Sequence, residues 1–216
     1  SIKNPKKYFI NNVVGTLNIV EAAKKVKVKK LIYAASSSCY GTPKSFPISE
    51  KDKIDLKHPY ALTKFMGEEL VMKYASIFSM PNISFRFFNV YGPRLNTSTQ
   101  YSAVIGNFLS QTKNKKPLTV VGDGKQTRDF IHVDDLVNAF IKVIKSKLVN
   151  KIYNLGSGKK TSIGKIAKIF GGKKKFIPFR PGEPKNSLAN ISKIKKDISW
   201  RPKISIEEGI RKLLSS

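Results

Sequence analysis

Segments with helical and with strand-like spacing of apolar residues alternate along this chain. One helical face is predicted from apolar residues at Ile10, Val13, Val14, Leu17 and Val20. The short apolar run KLIYAA (30–35) is typical of a buried strand. This alternation from the first residues onward indicates an α/β protein with a largely parallel sheet.

A second helix is predicted from Pro59 through YALTKFMGEELVMKYA, after a loop at 42–58 that is rich in proline and polar residues. The apolar side of this helix is predicted to carry Leu62, Phe65, Met66 and Leu70. The run ISFRFF (Ile83–Phe88) is predicted as the next strand, and NVYGPR as a turn that leaves it.

Further on, LTVVG and KIYNLG are predicted as strands, and DDLVNAFIKVIKS and SIEEGIRKLL as helices. We expect Asp134 or Asp135 near the N-cap of the first of these helices. In the second, Ser205 and Glu208 have the spacing of a capping box. No internal repeat or long linker is visible, so the 216 residues suit one domain or two small ones.

Composition excludes several classes of protein. The apolar content is 40%, and no apolar run approaches the roughly 18 residues of a membrane span. Cys39 is the only cysteine, so an intramolecular disulfide is impossible. The single cysteine and two widely spaced histidines make no zinc signature. We therefore expect a cytoplasmic protein without a bound metal and without a membrane partner.

The formal charge of +27 by itself suggests a nucleic-acid partner. However, only six of the 41 basic residues are arginine, and proteins that read bases or phosphates usually depend on the arginine fork. The lysines are scattered in short runs such as Lys115-Lys116 and Lys173–Lys175. We interpret them mostly as a solvated surface and expect no nucleic-acid partner, with a basic nucleic-acid-binding module as the alternative.

Two tyrosines are followed four residues later by a lysine, which is a recognised catalytic pairing. The first pair, Tyr40 and Lys44, encloses Pro43 and is therefore not expected to be helical. The second pair, Tyr60 and Lys64, lies in an uninterrupted helical pattern, where residues i and i+4 share a face. The helical context favours the second pair.

Three serines, Ser36, Ser37 and Ser38, follow the predicted strand at its carboxyl end. Serine is common in turns because its hydroxyl bonds the local backbone, and Gly41 and Pro43 already indicate a turn here. The residues alone leave open whether these hydroxyls serve the turn or a reaction.

Six ordered motifs together are similar to the extended short-chain dehydrogenase/reductase family, and particularly to nucleotide-sugar 4-epimerases acting on UDP-sugars. They are SSSCYG, HPYALTK, RFFNVYGPR, GDGKQTRDFIHVDDL, YNLGSG and RPGE. The resemblance implies a truncated NAD-binding Rossmann portion, a doubly wound parallel sheet, over 1–91 and 130–150. A smaller C-terminal α/β domain over 92–129 and 151–216 would bind the nucleotide-sugar.

The resemblance also implies a catalytic set of Ser36, Tyr60 and Lys64. Oxidation of a sugar hydroxyl needs a base, and tyrosine has a reference pKa near 10. Its use near pH 7 requires about three units of depression, or roughly 4 kcal/mol, for which Lys64 and the nicotinamide ring are suitable sources. Ser36 would hydrogen-bond the reacting oxygen, at the strand end where open α/β sheets bind ligands.

Other residues are assigned by the resemblance one at a time. NAD would contact Asn11 and the backbone of Phe88, besides Ser36, Tyr60 and Lys64. Asn89, Arg128 and Arg180 would hold the substrate diphosphate, because the arginine fork is planar and always charged. The remaining predicted substrate contacts are Ser37, Ser38, Glu183 and Ser187.

The serine cluster separates the subfamilies. Sugar 4,6-dehydratases resemble Thr-Asp-Glu at these three positions, and decarboxylases keep a glutamate at the third. Because serines occupy all three positions here, we expect epimerisation at C4 of UDP-glucose and UDP-galactose or their N-acetylated forms. A related dehydratase, decarboxylase or reductase is the alternative, and an inactive fragment is an alternative of another class.

The sequence departs from the family at its beginning. Members open with a strand, a GxxGxxG loop and an acidic residue for the adenosine ribose, and none of these precedes SIKNP here. We therefore expect the chain as given to bind NAD poorly and to be inactive alone. For the full-length protein we expect a homodimer through the helices near 8–25 and 60–78.

Overall fold

The computed structural model describes residues 1–95, 104–179 and 184–215. The α-helices in these ranges are α1 (Pro5–Phe9), α2 (Gly15–Lys25), α3 (Pro59–Phe78), α4 (Val104–Lys113), α5 (Val133–Lys145), α6 (Ile163–Phe170), α7 (Ser192–Ile198) and α8 (Ile206–Leu214). The strands are β1 (Leu31–Ser36), β2 (Asn82–Phe87), β3 (Asn89–Tyr91), β4 (Leu118–Val121), β5 (Thr127–His132), β6 (Lys151–Leu155), β7 (Lys160–Ser162) and β8 (Lys174–Ile177). Within these ranges, no helix is both long and apolar enough to cross a membrane.

A parallel sheet in the order β1-β2-β6 carries the predicted site. Its register pairs Leu31 with Asn82 at one end and Ser36 with Phe87 at the other. The carboxyl ends of β1 and β2 are therefore level, which brings the serine cluster beside the residues that follow β2. The prediction of an α/β fold with parallel strands is confirmed.

Two smaller sheets lie beyond this one. Strand β5 pairs in parallel with β3 and antiparallel with β7, and β4 pairs in parallel with β8. Strand β3 begins one residue after Phe88, so the prediction that NVYGPR turns directly out of β2 is wrong for Asn89–Tyr91. These three residues form a strand because β5, from a distant part of the chain, offers them a partner, and a local pattern does not contain that information.

The described residues form three hydrophobic clusters: a core on the first sheet, which includes Phe85 and Tyr153, a core between β4, α4, α6 and α8, and a small cluster between α2 and α3 around Val20 and Val71. The predicted domain boundary after residue 150 stays a prediction, and two contacts bear on where the chain divides. Strand β6 pairs with β2, and Trp200 is buried in the first core. We therefore propose a division that falls after Leu155, with the segment around Trp200 returning to the first core.

The first helical region contains a wider turn than the sequence predicts. Residues Ile10–Val14 are π-helical, and the N–H of Gly15 donates to the carbonyl of Ile10, five residues back. The extra residue per turn rotates the faces before and after it. Val20 is fully buried, but Ile10 and Val14 are 48% and 40% exposed, so the apolar residues of the predicted face are not all buried.

Helix α3 occupies the predicted range but buries a different side. Its buried residues are Ala61, Thr63, Gly67, Glu68, Val71 and Ala75, whereas Leu62 is 44% exposed. A Cβ atom at Gly67 would collide with the Tyr33 hydroxyl and the Asn12 carbonyl. Small residues thus allow α3 to approach β1 and the first helical region closely.

Caps define the ends of several helices. Ser205 caps α8 by accepting the N–H of Glu208, as the capping-box spacing predicts. The cap of α5 is His132, whose Nδ1 accepts the N–H of Asp134, and Asp134 and Asp135 both lie in the first turn, near the N-cap as predicted. Asp135 accepts the N–H groups of Lys203 and Ile204, because the chain after Trp200 folds back onto the start of α5.

Candidate active site

A cleft of about 220 Å³ lies at the carboxyl ends of β1 and β2. The predicted residues that it brings together are Ser36, Ser37, Ser38, Phe88, Asn89, Arg128 and Ser187. Ile48, Pro184 and Asn186 also line it, although the sequence pattern gave no reason to select them. Residues far apart in sequence therefore converge on one cleft, which we call the serine cleft.

The serines form a turn and also face the cleft. Strand β1 ends at Ser36, and Ser37–Tyr40 form a 3₁₀ turn, which we call the serine turn. The Oγ atom of Ser36 accepts the N–H of Ser38 (3.2 Å) and its hydroxyl (2.9 Å). With these two acceptor positions filled, the hydroxyl proton of Ser36 is left to donate to another group.

A glycine ends the serine turn for a steric reason. Gly41 has a φ of +58°, which L side chains rarely adopt. A Cβ at this position would also collide with the carbonyl of Asp55, whose N–H donates to the Cys39 carbonyl (2.8 Å). The turn is thus held by the loop at 42–58 as well as by its own hydrogen bonds.

Tyr60 lines a second cleft, of about 620 Å³, with His58, Tyr8 and residues 1–3. The Tyr60 ring meets Tyr8 edge-on (centroids 6.0 Å apart) and stacks on His58 (6.1 Å). Tyr60 is not among the residues that line the serine cleft. Helix α3 nevertheless packs directly against both β1 and the serine turn, so the two clefts adjoin the same elements.

Lys64 lies one helical turn after Tyr60, partly buried against Tyr33. Its Nζ is 4.4 Å from the centroid of the Tyr33 ring, and the Tyr33 hydroxyl donates to the Lys64 carbonyl (3.3 Å). Burial lowers the pKa of Lys64, and the nearby Glu68 carboxylate opposes this shift. Burial raises the pKa of the Tyr33 hydroxyl to about 12. This tyrosine therefore stays neutral near pH 7 and does not act as a base.

The far wall of the serine cleft is anchored to β5. The Asn89 amide donates to the Asp129 carbonyl (3.0 Å), and the Arg128 guanidinium donates to the Thr127 carbonyl (2.9 Å). The N–H of Ser187 donates to Thr127 as well (3.1 Å). These bonds place an amide, a guanidinium and a small hydroxyl side chain around one cavity.

Asp129 is a site-supporting residue that the sequence analysis missed. It is fully buried, and its carboxylate accepts the N–H groups of Ser157, Gly158 and Ala189 (2.6–3.0 Å). Burial raises its pKa. The only sequence signal is an aspartate beside Arg128 in the TRDF run, which indicates nothing about partners 28 to 60 residues away.

The remaining predicted residues have different surroundings. Asn11 is exposed, while its neighbour Asn12 donates its amide to the Thr63 hydroxyl (3.0 Å) on α3. The N–H of Phe88 donates to the Leu155 carbonyl (3.0 Å), so the donor of that peptide group is already used. Arg180 and Glu183 lie outside the described residues.

The residues present fit the nicotinamide and ribose end of a dinucleotide. The second cleft is open and largely bounded by aromatic rings, and Tyr60 offers a hydroxyl there one helical turn from the Lys64 ammonium. In the described part of the chain, no three His, Cys, Asp or Glu side chains are grouped as a metal site would need.

A parallel sheet with a serine at a strand end, beside a helix carrying tyrosine and lysine four residues apart, defines a protein of the short-chain dehydrogenase/reductase type. More specifically, the chain belongs to the NAD dependent epimerase/dehydratase family, whose sequence profile matches residues 1–156. The prediction of this family, and of NAD as its cofactor, is confirmed.

Known proteins similar to this chain act on UDP-sugars by name. A putative UDP-glucose 4-epimerase of Methanocaldococcus jannaschii is 33% identical over 100% of this chain and 72% of that protein. The UDP-N-acetylglucosamine 4-epimerase of Methanobrevibacter ruminantium, solved with UDP-N-acetylmuramic acid, has a TM-score of 0.94 and 31% identity, over 100% of this chain and 71% of its own. The UDP-glucuronic acid 4-epimerase of Bacillus cereus, solved with UDP-glucuronic acid and NAD, has a TM-score of 0.89 and 32% identity, over 97% and 68%.

Proposed function

We propose that the full-length protein interconverts UDP-sugars that differ in configuration at C4. The observation that carries this proposal is the chemistry of the serine cleft. Its first wall presents Ser36, Ser37 and Ser38, and none of the described residues that line it is Asp or Glu. With serines at all three positions that carry Thr-Asp-Glu in the dehydratases, the described wall offers no carboxylate acid or base for elimination, so oxidation followed by reduction at the same carbon is favoured over dehydration.

In the proposed mechanism Tyr60 removes the proton of the C4 hydroxyl. The Lys64 ammonium, one helical turn away, stabilises the tyrosinate and so lowers the cost of using tyrosine as a base. The Ser36 hydroxyl donates a hydrogen bond to the reacting oxygen and keeps its proton, since its acceptor positions are filled by Ser38. NAD, held beside Tyr60, would supply the acceptor for the C4 hydride and the donor that reduces the 4-keto sugar again.

The other wall of the serine cleft suits the rest of the substrate. Arg128 and Asn89 present donors for the diphosphate, and Arg180, which the resemblance also assigns to it, would complete the clamp. Ser187 is small and leaves room beside the sugar, which supports a substrate with a 2-acetamido group. The similarity to a solved UDP-N-acetylglucosamine 4-epimerase is consistent with this choice.

The proposal is tested by product analysis on the full-length gene product supplied with NAD. We expect UDP-N-acetylglucosamine and UDP-N-acetylgalactosamine to interconvert, with slower turnover of UDP-glucose. Formation of a 4-keto-6-deoxy sugar would identify a dehydratase, and release of carbon dioxide from UDP-glucuronate would identify a decarboxylase. Either product in place of the C4 epimer contradicts the proposal.

We also propose that the full-length protein is a homodimer. Large apolar side chains are exposed on α1, the π-helical turn and α2, namely Phe9, Ile10, Val14 and Ile19, and on α3, namely Leu62, Ile77 and Phe78. Exposed apolar side chains on helices that pack against one another are typical of an interface between protein chains. A second copy of the same surface is the proposed partner.

A further inference from the structure

A buried ion pair lies beneath the candidate active site and has no part in the proposed chemistry. Glu68 on α3 is 1% exposed, and Arg86 on β2 is 4% exposed. The Arg86 Nε donates to both Glu68 carboxylate oxygens (3.0 and 3.1 Å), and the Ser84 hydroxyl donates to one of them (2.8 Å). The pair joins the helix of Tyr60 and Lys64 to the middle strand of the sheet.

Hydrogen bonds continue from this pair to three other elements. The Nη1 of Arg86 donates to the Tyr40 hydroxyl (2.9 Å), which in turn donates to the Asn154 side-chain oxygen (2.7 Å). The Asn154 amide then donates to the Ile48 carbonyl (2.9 Å). We call the chain of side chains Glu68, Arg86, Tyr40 and Asn154 the buried network.

Each end of the buried network reaches a wall of the active site. Tyr40 is the last residue of the serine turn, and Ile48 lines the serine cleft. Ile48 also donates its N–H to Leu188 (2.8 Å), beside Ser187. At the other end, Glu68 lies one helical turn after Lys64 on α3. The buried network therefore touches α3, the serine turn and the Ser187 segment.

A buried network of this kind is not expected to add much to the free energy of unfolding. Burying two charges costs their hydration, and apolar replacements of buried ion pairs are often as stable as the original pair. A fully hydrogen-bonded network instead fixes the relative position of the elements that it joins. That property is relevant here because Ser36 and Tyr60 line different clefts, yet in the proposed mechanism they act on one oxygen.

We propose that Tyr40 is a positioning residue, whose hydroxyl couples α3 to the serine turn and keeps Ser36 in register with Tyr60. This inference rests on the proposed function for its catalytic consequence. Tyr40 itself contacts no reacting atom in this scheme, because its hydroxyl is engaged by Arg86 and Asn154 in the interior.

The test compares two tyrosine-to-phenylalanine variants of the full-length gene product. Tyr40→Phe removes only the hydroxyl that joins Arg86 to Asn154. Tyr153→Phe is the matched control, because Tyr153 is also fully buried and its hydroxyl donates to Asp197 (2.7 Å), away from the serine cleft. Both changes keep the ring and remove one hydroxyl, but Tyr40→Phe removes two hydrogen bonds and Tyr153→Phe removes one. The melting temperatures are therefore measured first, and kcat is compared per folded molecule.

We expect Tyr40→Phe to lower kcat by about 10-fold or more, because small misplacements of reacting groups cost large factors in rate. The KM for the UDP-sugar should change little, and Tyr153→Phe should keep the kcat of the wild type. Equal kcat values for the two variants, per folded molecule, would overturn the positioning role. If Tyr40→Phe does not fold, Arg86→Lys replaces it, since lysine keeps the charge beside Glu68 but lacks the fork that reaches Tyr40.

Hydrogen exchange separates failure of this inference from failure of the proposed function. Backbone amides of residues 36–41 should exchange faster in Tyr40→Phe than in the wild type and in Tyr153→Phe. If the wild type shows no epimerase activity, the proposed function is wrong, but the exchange comparison still tests whether Tyr40 couples α3 to the serine turn. Unchanged exchange at 36–41 in Tyr40→Phe contradicts that coupling.

Discussion

At the scale of single residues, the hydrogen bonds that a hydroxyl already makes decide which role it can take. Ser36 accepts from Ser38 and is left as a donor, whereas the Tyr40 hydroxyl is enclosed between Arg86 and Asn154. Both Tyr40 and Tyr60 are followed four residues later by a lysine. Tyr40 also lines a cleft, but its hydroxyl is engaged. Tyr60 lines its cleft with its lysine on the same helix, which is why we assign the base to it.

Replacing the proposed base gives the first prediction. Tyr60→Phe in the full-length protein keeps the ring but removes the group that accepts the proton, so kcat should fall about 10²–10⁴-fold. The affinity for the UDP-sugar, measured by calorimetry, should persist. Tyr74→Phe, a tyrosine near the other end of α3, is the control and should keep normal turnover. Near-normal epimerisation by Tyr60→Phe would show that another group is the base.

Substrate size gives a second prediction at this scale. Ser187→Tyr should suppress turnover of UDP-N-acetylglucosamine while sparing UDP-glucose, because the larger ring excludes the 2-acetamido group from the serine cleft. Ser187→Ala is the control and should retain both activities. The test measures the turnover rates of the wild type and the two variants on both substrates. Equal loss on both substrates would make Ser187 structural, and no loss would place it outside the pocket.

The sequence could predict some of these residues and not others for a physical reason. Tyr60 and Lys64 share a helical face, and Ser36, Ser37 and Ser38 are adjacent after a predicted strand, so local motifs and the family resemblance that they carry were enough to select them. The residues of the buried network come from α3, β2, the serine turn and β6, and no local spacing relates them. Their partnership depends on strand order and helix packing, which appear only in the folded structure.

At the scale of the elements, the start of α3 is linked to pH by its cap. His58 Nδ1 accepts the N–H of Ala61 (3.2 Å), so it must be unprotonated to cap the helix that carries Tyr60. Burial lowers the pKa of His58 below its usual 6.5. Lys3 and Tyr60 also share its cleft. The folded state thus binds this proton less readily than the unfolded state.

Stability contributed by this linkage is present above pH 6.5 and is lost as the pH falls through the depressed pKa. His58→Asn keeps a capping side chain that does not titrate in this range. We expect its melting temperature to fall less than that of the wild type between pH 7.5 and 5, in parallel thermal scans of the full-length protein. Identical pH dependence in the two proteins would show that the cap does not carry the effect.

Helix faces were the least predictable property of the elements. The ranges of α3 and α8 follow from apolar spacing and from Pro59 and Ser205 at their beginnings. The face that α3 buries does not, because close packing selects Gly67 and Ala75 over the bulkier Leu62. The π-helical turn at Ile10–Val14 likewise shifts a face in a way that a 3.6-residue period cannot anticipate.

At the scale of the whole molecule, the exposed apolar surface of α2 and α3 predicts how copies associate. Ile19 on α2 and Ile77 on α3 are 61% and 68% exposed. Ile19→Lys and Ile77→Lys should each convert a dimer to a monomer in sedimentation, because each places a charge in the proposed interface. Val137→Lys, at a 45% exposed position on α5, adds the same charge elsewhere and should remain dimeric. A wild type that sediments as a monomer contradicts the proposed dimer.

The measurement that tests the central claim most directly follows the hydrogen at C4. The full-length protein is incubated with NAD and a UDP-N-acetylhexosamine carrying deuterium at C4, and the sugar is analysed by NMR. We expect the C4 epimer to form with its deuterium retained, because the hydrogen leaves and returns without exchange with water. Formation of no epimer, replacement of the label by solvent hydrogen, or a 4-keto-6-deoxy product would contradict the proposal of C4 epimerisation by transient oxidation.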